Sequence, residues 1–209
     1  MTKQELLRIA KPILFNTDMV RAILDDRKTV TRRIVKDCNI SDGQEINENL
    51  KGQFEVYNVN PRCGIPQGII FKPPYHPGNI LYVRETWQEY ASITDETSYF
   101  FRADEVDCMI GEIDWRPSIH MPKEAARIFL RVTDVRVERL QDIDDKGAFN
   151  EGAGLKNAVY QIGARVCEFV KIWNSTIKKS DRDLYGWDTN PWVWVIEFER
   201  IYPDNLMKG

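Results

Sequence analysis

Apolar positions along the chain fall into a few short, well-phased runs. Met19, Val20, Ile23 and Leu24 recur at helical spacing, which predicts a helix over 17–24 with Thr17 as its N-cap and Asp18 in its first turn. Asp25-Asp26 ends that helix, and residues 28–34 read as extended. Residues 37–77 carry little pattern and much Asn, Gly and Pro, which predicts a long excursion with at most one hairpin. Pro77-Gly78 announces a short strand over 79–84, and 98–102 reads as another. Residues 103–123 are acidic and Pro-containing, an insertion lying over a core.

The run 128–137 changes phase partway. Ile128, Leu130 and Val132 share one face, whereas Val135 and Val137 fall on the opposite phase. One extra residue near Thr133–Asp134, a β-bulge, accounts for the slip, as does a strand passing between two sides of a barrel. Residues 144–151 predict a short helix ended by Gly152. Val159, Ile162, Val166, Phe169, Val170, Trp173 and Ile177 predict the longest helix, over 157–178. The final strand, 192–198, is apolar on both faces at its start and is therefore central. Helices and strands do not alternate regularly, so a doubly wound parallel sheet is excluded in favour of an α+β fold, a small mixed β-barrel with flanking helices.

Composition narrows the partners. The 209 residues suit one domain, and 43 % apolar residues suffice for a core. No run approaches the ~20 apolar residues of a membrane span. The N-terminus lacks the order of a signal peptide, so the default compartment is the cytoplasm. A net charge of −3 excludes a nonspecific nucleic-acid coat. Cys38, Cys63, Cys108 and Cys167 lie far apart, and His76 and His120 add no ligand spacing, so no metal site and no cofactor is expected.

Against that acidic background, residues 21–36 hold six basic and two acidic residues. Within them, Asp26-Arg27-Lys28-Thr29-Val30-Thr31-Arg32-Arg33 interleaves cations with hydroxyls, a mixture suited to binding an anion or polarising a carbonyl. A solvated basic strand has the same composition. Two further clusters are Arg84-Glu85-Thr86-Trp87, a charged pair beside an indole, and Asn150-Glu151-Gly152, a carboxylate at a helix end.

The 26–33 segment resembles the Gly-x-Lys-Thr-x-Thr-x-Arg signature of ASCH-domain proteins, a branch of the PUA-like superfold. The segment from Pro77 to Glu85, the strand from Val135 to Leu140 followed by Ala148 to Gly152, and the closing Trp194-Val195-Ile196-Glu197-Phe198 are similar to later segments of the same family, in the same order. The resemblance implies a single PUA-like domain over 1–209, with insertions at about 37–74 and 88–120 as in the larger phage and prophage members. The signature glycine is Asp26 here, and the small members lack both insertions.

Some small ASCH proteins hydrolyse the acetyl amide of N4-acetylcytidine, using a lysine and a threonine three residues apart and a glutamate on the later helix. By motif these fall on Lys28, Thr31 and Glu151. Neighbouring cations would lower the Lys28 pKa, freeing an amine to take a proton from Thr31 or water, with Glu151 returning a proton to the leaving amine. In a regular strand Lys28 and Thr31 would face opposite ways, so cooperation needs irregular backbone between them. Expected substrate-binding residues are Arg32, Arg33, Arg84, Glu85, Trp87 and His120, with Trp87 as the first aromatic wall and Tyr82 and Trp115 next. The expected partner is a small modified nucleoside or nucleobase. The alternative is a noncatalytic PUA-like module that binds RNA or a modified base.

Overall fold

The computed structural model describes residues 1–36, 46–48, 53–59, 66–91, 97–104, 113–154 and 161–204. The helices are α1 (Lys3–Ile9), α2 (Thr17–Leu24), α3 (Asp145–Asn150), α4 (Ala164–Thr176) and α5 (Arg182–Tyr185). The strands are β1 (Lys11–Leu14), β2 (Val30–Ile34), β3 (Asn47–Glu48), β4 (Phe54–Val59), β5 (Pro66–Phe71), β6 (Ile80–Arg84), β7 (Trp87–Ala91), β8 (Thr97–Phe101), β9 (Phe129–Arg139) and β10 (Trp192–Ile201). The fold is mixed helix and sheet. Among the described residues no helix is long and apolar enough to cross a membrane.

A five-stranded sheet in the order β1-β6-β9-β10-β2 organises the molecule. Only β1 and β6 run parallel; the other neighbours are antiparallel. The central place of β10 follows from its burial, with Val193 to Ile196 all sealed. The phase slip is a bulge in β9: Glu197 pairs with Asp134 and Phe198 with Val132, so Thr133 is the extra residue. The ladders leave β1 and β2 as edges, so the sheet is open. One side chain nonetheless links the edges, since Arg33 Nη2 on β2 donates to the Leu14 carbonyl of β1 at 2.7 Å.

Each face of this sheet has its own core. On one side Phe15, Val20, Ile23, Val35, Trp194 and Ile196 pack together, joined by Phe54, Val56 and Phe71. On the other, Val30, Val193 and Val195 pack against Phe169 and Trp173 of α4 and Ala148 of α3. Strand alternation in β2 assigns the faces. Val30 and Ile34 belong to the α3–α4 side, and Val35 belongs to the Phe15 side. A third cluster, under β7 and β8, holds Trp87, Phe101, Tyr82 and Met121.

Several expectations are corrected. The region 37–77 holds three strands, β3-β4-β5, not at most one hairpin. Asn58, Pro66, Gln67 and Gly68 interrupt the apolar residues of β4 and β5, so the sequence pattern is faint. Asn16, not Thr17, caps α2, its side chain accepting from the Met19 N–H at 2.9 Å. The helix expected over 157–178 is α4, Ala164–Thr176, entered through Gly163 at φ 83°. Ile162 precedes it fully exposed, and Val159 lies outside the described residues. The inward face of α4 is as expected, with Phe169 and Trp173 buried and Val166 packed beside them.

Candidate functional site

The turn after α2 is built by its own backbone. Asp26 adopts φ 56°, the left-handed region that glycine favours and Asp tolerates better than most residues. That turn sends the N–H groups of both Arg27 and Lys28 to the Ala22 carbonyl, each at 2.9 Å. The Thr29 N–H then donates to the Asn150 carbonyl at the end of α3, and regular pairing of β2 begins only at Val30. Lys28 therefore stands outside the strand, and strand alternation no longer fixes its side relative to Thr31.

The end of α3 is fastened to this turn from both sides. Arg27 Nη1 donates to the carbonyls of Gly152 and Gly154, each at 2.8 Å. Gly152 itself has φ 100°, and a Cβ there would lie 2.8 Å from the Ala22 Cβ. Only glycine lets the chain turn this close to α2. The result delivers Glu151, the C-cap of α3, to Lys28.

Lys28 Nζ makes three hydrogen bonds. It donates to the Glu151 carboxylate at 2.6 Å, the Glu151 carbonyl at 2.9 Å and the Val30 carbonyl at 2.8 Å. Glu151 in turn accepts from Arg32 Nη1 at 3.2 Å, and Arg32 Nη2 reaches Glu138 at 3.3 Å. Lys28, Arg32 and Glu151 are all buried. Burial pulls the Lys28 pKa below the ordinary lysine value; Glu151 opposes this, while Arg33 and Arg32 add to it.

Phe15 forms the other wall. Lys28 Nζ stands 5.5 Å from its ring centre and the Arg33 guanidinium 5.4 Å, on the same aromatic group. Thr31 is 1 % exposed. Arg33 also lines a cleft of about 670 Å³ between β2 and the chain leaving β5, with Tyr75, Trp194, Lys36 and Lys72 around it.

The remaining expected site residues lie apart from the Lys28 cluster in their contacts. Glu85 is buried and held by Arg127 through paired bonds at 2.9 and 3.0 Å. Burial raises its pKa, partly offset by Arg127. Arg84 donates to the Ile119 carbonyl. Trp87 is 4 % exposed, inside the third core under Arg116, so it forms core and not an open aromatic wall. Tyr82 is buried in the same cluster, and His120 is exposed on a one-turn helix.

Residues that the sequence did not single out complete the site. Phe15 carried no chemical signal. Arg27 sat within the signature at a variable position. Glu138 lies in β9, and its spacing from Arg136 is the available hint, since the two share one face of the strand after the bulge. Among the described residues no group of three or more His, Cys, Asp or Glu side chains could hold a metal. Comparison with protein-family models, curated proteins and solved structures finds no significant match for the chain.

Proposed function

We propose that the chain is an ASCH-like amidohydrolase with a PUA-like barrel core, acting on an acylated pyrimidine nucleoside or nucleobase. One observation carries the reading. Lys28 and Glu151, 123 positions apart in sequence, meet at 2.6 Å inside the protein, and they are two of the three residues that the ASCH resemblance pairs in catalysis. In the proposed reaction neutral Lys28 takes a proton from Thr31 or from a water, and the resulting oxygen nucleophile attacks the acyl carbon. The C–N bond breaks as the proton taken up by Lys28 passes through Glu151 to the departing amine; attack by water gives the carboxylic acid directly, whereas attack by Thr31 leaves an acyl-threonine ester that a water then hydrolyses. Burial supports this role, because it favours the neutral amine that a base requires.

A second reading has its own observation. The Lys28 side chain is 0 % exposed and its ammonium has three acceptors. A saturated, sealed ion cluster is what a noncatalytic PUA-like binding module needs to fix its signature turn. Hydrolysis requires the wall over Lys28 to part for substrate. Acetate release from N4-acetylcytidine and a panel of related acyl nucleosides separates the readings. Turnover by the native chain that Thr31→Val abolishes supports the hydrolase. No turnover on any member leaves the binding module.

A further inference from the structure

The cleft at Arg33 has a composition that the Lys28 cluster does not explain. Its volume is about 670 Å³, within the usual range for one small ligand. Three cations line it, Arg33, Lys36 and Lys72, and among the described residues no carboxylate does, in a chain whose net charge is −3. Glu55, opposite Ile70 across the β4–β5 ladder, is not part of the lining. Tyr75, Trp194 and Phe71 supply aromatic surface.

The walls are held in place. Tyr75 donates its hydroxyl to the Pro12 carbonyl at 2.7 Å, which fixes one edge of its ring. Trp194 is wedged edge-on against Phe54, with ring centres 4.9 Å apart. Arg33 spends one nitrogen on Leu14, and its guanidinium lies over Phe15. Lys36 and Lys72 are exposed at the mouth. Fixed aromatic walls suit a flat ring, and cations at the rim suit a phosphate, which they would hold as point charges.

We propose that this cleft binds a planar aromatic molecule carrying a phosphate, the chemistry of a nucleoside monophosphate. Its lining includes neither Lys28 nor Glu151, so the site stands whether or not the Lys28 cluster is catalytic. The ring lies against Tyr75, above the Trp194 floor, and the phosphate meets Lys36 and Lys72.

Calorimetry on the full chain tests this, with cytidine, uridine and adenosine 5′-monophosphates, the matching nucleosides, inorganic phosphate and a short single-stranded oligonucleotide. At least one monophosphate should bind at least tenfold more tightly than its nucleoside and than phosphate alone. The double variant Lys36→Glu, Lys72→Glu changes exposed residues and should fold normally by thermal melting. It should weaken that binding at least tenfold and leave the nucleoside unaffected. Tyr75→Ala should lower monophosphate affinity without changing that for inorganic phosphate. Equal affinity of monophosphate and nucleoside, an unchanged double variant, binding of the oligonucleotide alone, or no monophosphate binding at millimolar concentration would each overturn the proposal.

Discussion

Lys28 Nζ grips Glu151 twice, through the side-chain carboxylate at 2.6 Å and the main-chain carbonyl at 2.9 Å. The cation therefore holds both the charge and the backbone of the residue that ends α3. Arg32 approaches the other carboxylate oxygen, so Glu151 lies between two cations with no water-facing side. Removing Lys28 leaves the buried Glu151 carboxylate to Arg32 alone and takes a buried donor from the Val30 and Glu151 carbonyls. Lys28→Met should destabilise the fold by about 3–5 kcal/mol, read from the denaturant midpoint.

The same pair sets a pH dependence. Burial lowers the Lys28 pKa in the folded chain, so in the unfolded chain the lysine keeps its proton to higher pH. Between the lowered value and the ordinary lysine value of 10.5 the unfolded state binds more protons, and stability rises with pH across that window. The cost of the buried ammonium is fully present below it. Chemical denaturation from neutral to alkaline pH should show the stability of the native chain, relative to Lys28→Met, increasing as pH rises. A flat or falling difference would contradict the assignment.

Gly152 is predicted to be intolerant. Alanine there meets φ 100° and a contact of 2.8 Å to the Ala22 Cβ. Gly152→Ala should cost about 1–3 kcal/mol from backbone strain alone. Adding Ala22→Gly relieves the contact and not the dihedral, so it should restore only part of the melting temperature.

Asp26 is predicted to be replaceable by the residue that the signature carries. At φ 56°, Asp26→Gly removes a steric cost and adds freedom to the unfolded chain, so stability should change by no more than about 1 kcal/mol. Asp26→Val should destabilise more strongly, because a β-branched residue fits this region poorly.

How far the sequence could be read is clearest at particular residues. The bulge at Thr133 was legible because a half-buried strand must keep its alternation, and the step from Val132 to Val135 breaks it. The α2 helix and the inward face of α4 were legible for the same reason, with a period of 3.6. Strand β1 was not, since its four residues bury only Ile13. Trp87 shows the limit for sites: an aromatic beside a charged pair looked like an open wall, and β7 pairing with β8 buried it instead. The Arg33 cleft depends on Tyr75 and Lys72 returning to β2 from beyond β5, a long-range placement that no local pattern encodes. Lys28 with Glu151 was anticipated through the family resemblance, whereas the supports from Arg27, Phe15 and Glu138 required the structure.

The burial of Trp87 gives a separate prediction. Trp87→Ala should destabilise the chain by about 3–5 kcal/mol as a core truncation. At temperatures where the variant remains folded, affinity for any nucleotide found in the Arg33 cleft should be unchanged.

The central claim, that Lys28 is a base and not only a structural cation, is tested most directly by Lys28→Arg. Acetate release from the best acyl nucleoside would be followed across pH for the native chain and this variant, with folding of each verified by melting. The native rate should rise with pH through a pKa below the ordinary lysine value of 10.5. The folded variant should be nearly inactive at every pH, because a guanidinium does not surrender its proton. A folded Lys28→Arg chain that hydrolyses the substrate at close to the native rate would contradict the account.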